Sequence, residues 1–358
     1  MTESSTSLPD AVVGGIRSLI RDAGIAADTD LVARILETGV GLGLDETDRL
    51  DLKITSAALE EMRGAFRLFA PYRDVPKVTV FGSARTTPSD PLFAAAREAA
   101  AALAQRGWMI VTGAGPGIML AATEGAGTQH ALGVSIRLPF EQQHNAVLAE
   151  PNVVTMKYFF TRKLMLIKES QGFVVLPGGF GTLDEMFELL TLQQTGKAEP
   201  VPIVLLDAPG GTFWAGLERF VNEHLEPAGL ISRGDLDRVL MTDSVERAAA
   251  EITGFWRNYD SLRWVGDKLI LRLNAEPTDA EIAHLNTEFA GLLAAGRIER
   301  SAPLPVEVRD ADRLDHPRIT LTLEPRRVGA LHTLIRAING LGTAPAAATP
   351  PDQAAGER

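Results

Sequence analysis

"GFVVLPGGFGTLDEMFELL", Gly172 to Leu190, passes through three textures in one short stretch. A β-branched and aromatic run comes first, then a turn carrying Pro177, Gly178, Gly179 and Gly181, then apolar residues at helical spacing behind Asp184 and Glu185. Strand, glycine-rich turn and helix make one half of a crossover unit. The same texture recurs from Lys77 onward in "KVTVFGSAR", "GWMIVTGAG", "GVSIRLP", "VPIVLLDAPGG" and "RVLMTD", each followed by a helical pattern. Alternation of this kind predicts an α/β fold, a Rossmann-like doubly wound parallel sheet covered on both faces. Any ligand is then expected beyond the carboxyl ends of the strands, where the glycine loops gather.

Outward from this centre the texture changes twice. Residues 1–75 show helical spacing and no strand, as in "DLVARILETGVGLGLD" and "LEEMRGAFRLFAPY", and predict a helical N-terminal extension to an α/β domain over 76–257. Residues 258–342 read as strand ("DKLILRLN"), helix ("TDAEIAHLNTEFAGLLAAG"), extended pieces ("RIERSAPLPVEV", "RITLTLE") and helix ("RRVGALHTLIRAING"), a small α+β module. The tail 343–358, rich in Ala, Pro and Gly, is expected to be disordered.

Composition narrows the function classes. A formal net charge of -11 argues against a general nucleic-acid or anionic-membrane binder, although local cations and backbone N–H groups can still hold a small anion. With no cysteine there is no disulfide, thiolate nucleophile or zinc–thiolate site. The start "MTESSTSLPD" lacks the basic-then-apolar order of a signal peptide, and a cytoplasmic protein is expected. His130, His144, His224, His284, His316 and His332 are scattered without metal-ligand pairing. The G-K-[ST], H-E-x-x-H and G-x-S-x-G signatures are absent, which removes support for nucleoside triphosphatase, zinc hydrolase and serine hydrolase readings.

Four motifs carry chemistry. "VTGAGPGIML" sets Gly113, Gly115 and Gly117 between a strand and a helix, where glycine lets backbone approach an anion and the helix start offers free N–H groups. Its G-x-G-x-G spacing, with Ile118 in place of a last glycine and Arg137-Leu138 rather than an acid ending the next strand, disfavours a dinucleotide site. "FGSAR" offers Gly82, Ser83 and Arg85 at the end of the first strand, suited to phosphate or ribose. "MKYFFTRKLMLIKESQ" carries Arg162 and Lys163, about 100° apart on a helix, so at most one aims straight into a cleft. In the opening stretch Glu185 has two readings. Thr182-Leu183-Asp184-Glu185 matches a capping box, whereas the surrounding glycines suggest a ligand loop beside a functional carboxylate.

In this order "FGSAR", "GAGPGIM", "FFTRK" and "PGGFGTLDE" resemble the LOG family of phosphoribohydrolases, over roughly Lys77 to Trp256. The resemblance implies that Arg162 and Glu185 are the catalytic arginine and glutamate. It places Lys163, the loop Gly178, Gly179, Gly181 and Thr182, and the loops of Gly82, Ser83, Arg85, Gly113, Gly115 and Gly117 on the substrate. "LPFEQQHN" adds Glu141 and Asn145 as candidate pocket residues. The family's older label, lysine decarboxylase, would need pyridoxal phosphate on an activated lysine, and nothing in the sequence marks such a site.

The implied reaction is hydrolysis of the N-glycosidic bond of a nucleoside 5′-monophosphate, of AMP or GMP type or an N6-modified cytokinin nucleotide, with no cofactor and no metal. The added segments at both ends resemble those of longer bacterial relatives acting on purine monophosphates. The resemblance also implies a homodimer or larger homo-oligomer, with no nucleic-acid or membrane partner. The alternatives are a non-catalytic carrier of a nucleotide or of molybdenum cofactor, which resembles the same fold, and a regulatory binding protein.

Overall fold

The computed structural model of the chain describes residues 8–138, 147–148, 150–232, 234–324 and 329–346. The chain divides into two compact units, Met1–Arg63 and Gly64–Arg358. In the first, the helices α1 (Asp10–Asp22) and α2 (Thr29–Leu44) pack on one another, and α3 (Arg49–Phe69) begins. Among the described residues no helix is long and apolar enough to cross a membrane.

The second unit is built on a parallel sheet of seven strands among the described residues. They are β1 (Lys77–Phe81), β2 (Met109–Thr112), β3 (Ala131–Ile136), β4 (Val153–Met156), β5 (Gly172–Val175), β6 (Ile203–Leu206) and β7 (Val239–Thr242), in the order β4-β3-β2-β1-β5-β6-β7. Strands buried on both faces need no alternation, and the residues of β1, β2 and β5 are buried throughout. The crossovers after β1 to β3 run one way along the sheet and those after β5 the other. The order therefore reverses between β1 and β5, which opens a crevice at their carboxyl ends.

The helices between these strands are α4 (Pro91–Ala104), α5 (Ile118–Ala126), α6 (Phe159–Lys168), α7 (Phe180–Gln194) and α8 (Phe213–Phe220), and α9 (Val245–Gly254) follows the last of them. α4, α5 and α9 bury Ala95, Ala96, Ala99, Ala121, Ala122 and Ile252 against Val78, Val80, Ile110 and Val174. α4 and α5 approach so closely that a Cβ on Gly125 would lie 2.0 Å from the carbonyl oxygen of Arg97. α6 is tied to the sheet by Thr79, whose hydroxyl donates to the Leu166 carbonyl at 2.9 Å.

A second, antiparallel sheet follows, in the order β10-β11-β9-β8, from β8 (Tyr259–Val265), β9 (Lys268–Leu273), β10 (Leu293–Arg300) and β11 (Arg318–Leu323). α10 (Asp279–Glu288) and α12 (Leu331–Asn339) bury Leu285, Leu334, Ile335 and Ile338 with Leu269, Leu271 and Ile319 of this sheet. α11 (Pro305–Asp310) places Glu307 between two buried arginines, Arg272 and Arg318. The two sheets are joined by Arg336, whose Nε donates to Glu251 of α9 at 2.8 Å.

Candidate active site

The loops after β1, β2 and β5 are knitted together at the crevice. Ser83 donates its N–H to the Pro177 carbonyl at 3.2 Å, and its own carbonyl accepts from Ile118 N–H at 3.0 Å. Gly117 sits at φ +69, and a Cβ there would lie 2.3 Å from the Ser83 oxygen, so the α5 loop can close on the β1 loop only with glycine. Ala114, at φ 53, holds the left-handed conformation without being glycine, a local strain inside a loop that lines the cleft. α5 and α7 begin behind Gly117 and Gly179 with no side-chain cap, which leaves backbone donors and the positive dipole end of each helix for a ligand.

This rules out the capping reading of Glu185. α7 starts at Phe180, so Thr182 is already inside the helix and Glu185 lies in its second turn. The Glu185 carboxylate instead faces Arg162 of α6, with Nη1 donating to Oε1 at 3.3 Å and both side chains nearly buried, 10% and 12% exposed. Arg162 is fixed from behind by its Nε, which donates to the Val134 carbonyl of β3 at 2.9 Å. Its Nη2 lies on Gly113, where a Cβ would come within 2.0 Å of it. Burial pushes the Glu185 carboxyl up to about 7 even though the Arg162 guanidinium pulls it down. Burial likewise holds Arg162 below the ordinary arginine value, with Glu185 partly offsetting it.

The cleft has a volume of about 990 Å³. It gathers most of the residues singled out from the sequence: Gly82, Ser83, Arg85, Gly113, Gly115, Arg162, Gly178, Gly179, Gly181, Thr182 and Glu185. Gly117 stands behind the lining, shaping the loop. Lys163 is also outside the lining, because it turns to the other flank of α7 and pairs with Asp184 at 3.0 Å and with Glu188. Burial works against that ammonium, but the hydrogen bonds it donates to Glu188 and Asp184 outweigh burial and hold Lys163 above its ordinary value. Glu141 and Asn145 lie outside the described residues.

Sequence reasoning missed Met119, Ser135, Thr155, Phe159, Phe180 and Phe213, and gave no role to Arg137. Of these, Arg137 follows directly from the rule it was read with, since it closes a strand at the ligand edge of the sheet. Among the described residues, Glu185 is the one carboxylate that lines the cleft, and no group of three His, Asp or Glu is placed to hold a metal ion.

The fold and site together define a cleft at the switch point of a Rossmann-like α/β protein, with a buried arginine–glutamate pair beside two uncapped helix starts. A family described as "Possible lysine decarboxylase" matches residues 117–252. The chain is 34% identical over 175 residues to a cytokinin riboside 5′-monophosphate phosphoribohydrolase of Mycobacterium tuberculosis, covering 48% of this chain and 90% of that one. It is 32% identical over 151 residues to the protein of the same name from Mycobacterium marinum, covering 41% and 78%. The chain belongs to the LOG family. Among solved structures, the molybdenum cofactor binding protein of Rippkaea orientalis aligns over 48% of this chain and 91% of its own, at 21% identity and a TM-score of 0.35.

Proposed function

We propose that the chain hydrolyses the N-glycosidic bond of nucleoside 5′-monophosphates, releasing the free base and ribose 5-phosphate. The observation that carries this reading is the Arg162–Glu185 pair, buried in the cleft between two uncapped helix starts, with the carboxyl raised to about 7. The names of the mycobacterial relatives support phosphoribohydrolase chemistry at the level of the family.

The 5′-phosphate fits the N–H groups at the starts of α5 and α7, with Arg85 beside them. This handle sets the sugar against Glu185. As the C1′–N bond breaks, its electron pair leaves with the base and positive charge develops on the sugar. A carboxylate beside C1′ stabilises that charge and takes a proton from the attacking water, whose oxygen bonds to C1′. The proton balance closes when the departing base nitrogen is protonated. Arg162 orients the carboxylate and presents its remaining donors to ribose or phosphate oxygens. A group with a pKa of about 7 can hold and release a proton at neutral pH.

The test is base release from AMP, GMP, IMP, CMP, UMP and N6-prenylated AMP, with adenosine as the control lacking phosphate, by wild type and Glu185→Gln. We expect release from at least one monophosphate, little from adenosine, and a loss on the order of a hundredfold in the variant with its fold retained. Near-normal turnover by Glu185→Gln, or equal turnover of adenosine and AMP, overturns the reading.

A further inference from the structure

We infer that Arg137 reads the base, and that the cleft is built for a 6-oxopurine nucleotide, guanine or hypoxanthine, in preference to adenine or its N6-substituted forms. This inference rests on the proposed nucleotide reading of the same cleft.

Among the described residues three cations line the cleft: Arg85, Arg137 and Arg162. Arg162 is engaged with Glu185 and Val134. Arg137 and Arg85 are exposed, and neither guanidinium has an acidic partner among the described residues. The sheet order separates their roles. Arg85 follows β1, between the two glycine loops that offer N–H groups to the phosphate. Arg137 follows β3, two strands from β1 and hence about 10 Å across the sheet. The Arg162–Glu185 pair lies between these ends, anchored at Val134 of β3, three residues before Arg137.

A nucleotide with its phosphate on the glycine loops and C1′ at Glu185 therefore has its base over β3 and β4. There Ser135, Arg137 and Thr155 are the polar side chains and Ile136, Leu138 and Phe159 the apolar ones. Hydroxyls serve as donor or acceptor and discriminate little. A guanidinium only donates, in a planar fork that matches two acceptors side by side, as O6 and N7 of guanine or hypoxanthine present them. Adenine sets a donor, its 6-amino group, where that fork needs an acceptor, and an N6 substituent adds bulk at the same edge. The same contact assists the reaction, because donation to O6 and N7 stabilises the negative charge that moves onto the departing base.

The test compares kcat/KM for GMP, IMP, AMP and N6-prenylated AMP in wild type, Arg137→Met and Arg137→Gln. We expect wild type to favour GMP and IMP over AMP by roughly ten- to a hundredfold, the discrimination one bidentate contact provides. Arg137→Met should collapse the GMP-to-AMP ratio towards one. Arg137→Gln, which can pair with an amino group and a ring nitrogen, should move it towards AMP. A wild type that prefers AMP or the N6-substituted nucleotide overturns the inference, as does an Arg137→Met that lowers GMP and AMP turnover by the same factor. If no monophosphate is hydrolysed, the proposed function fails by itself, and the base reading is then judged from Kd by calorimetry. Tighter GMP than AMP binding in wild type, lost in Arg137→Met, supports it; equal Kd values in wild type overturn it.

Discussion

Gly113→Ala moves Arg162 without altering any charge, and so tests the proposed catalytic pair by geometry alone. The new methyl group would stand 2.0 Å from Nη2 of Arg162 and 2.8 Å from the Met119 sulfur. Ordinary contact requires about 3.5 Å, so the guanidinium must retreat by more than about 1 Å. It is pinned by the Nε bond to the Val134 carbonyl and by Glu185, and it cannot retreat while keeping both. Loss of one charged, buried hydrogen bond is worth about 1.5–3 kcal/mol, and a displacement of that size at a reacting centre costs on the order of a hundredfold in rate. We therefore expect kcat for the best monophosphate to fall about a hundredfold, with the unfolding midpoint lower by only a few degrees. Gly115→Ala is the comparison, because its methyl would press chiefly on the terminal carbon of Met119, a flexible side-chain end, at 2.6 Å. It should cost several-fold less. The assay is base release alongside thermal unfolding of the same samples. A folded Gly113→Ala with near-wild-type turnover would refute the placement of Arg162 in the chemistry.

Because the Glu185 carboxyl must be ionised to act as a base and burial lifts it to about 7, kcat/KM should climb with pH up to that region and then level, and Glu185→Gln should remove the limb. The sign for stability is opposite: a carboxyl raised in the folded state contributes stability that is complete below the ordinary 4.5 and lost as pH rises through about 7, readable in the pH dependence of wild-type unfolding. In the C-terminal sheet, Glu307 accepts from Arg272 at 2.8 Å and lies 2.9 Å from Arg318, so Glu307→Ala leaves two buried guanidinium groups short of a partner and should cost about 3–5 kcal/mol in denaturant unfolding. Burial alone would raise Glu307, but the Leu304 N–H and both arginines hold it below 4.5, so its contribution is present above that value and is lost as the pH falls further.

Where burial on both faces makes a strand predominantly apolar, the strand was legible: the runs ending at Phe81, Thr112, Ile136, Val175 and Leu206 all form strands of the main sheet, and so does the less buried run ending at Thr242. β4 was not read, although Val153–Met156 is a four-residue, partly buried edge strand just as β7 is. In the second sheet "EFAGLLAAG" continues the apolar spacing of α10, yet the helix stops at Glu288 and Leu293–Arg300 forms β10. The pairing of β10 with β11 is a tertiary contact that local spacing does not encode. β8 was hidden for a similar reason, since its residues 260–265 are half-buried or exposed and carry no clean alternation.

The site shows the same division between what is local and what is not. Gly82, Gly113, Gly115, Gly117 and Gly178 mark their loops because close approach excludes a Cβ whatever the partner is, whereas Gly179 and Gly181 face open space, and both glycine loops stand at the crevice. The partner itself cannot be read locally: Gly113 looks like a ligand glycine, yet the group it makes room for is Arg162, 49 positions further along the chain. Glu185 shows the converse. Its capping signature is a purely local pattern, and it fails because Gly179 starts the helix three residues before Thr182, so the hydroxyl and the carboxylate no longer stand at the exposed N–H groups. The carboxylate is then left without any backbone partner in its own helix. A charge in that position must either reach solvent or meet an opposite charge, and α6 supplies one in Arg162. The glycine loop thus does two things at once, leaving the first turn of α7 without a side-chain cap and freeing Glu185 to face Arg162.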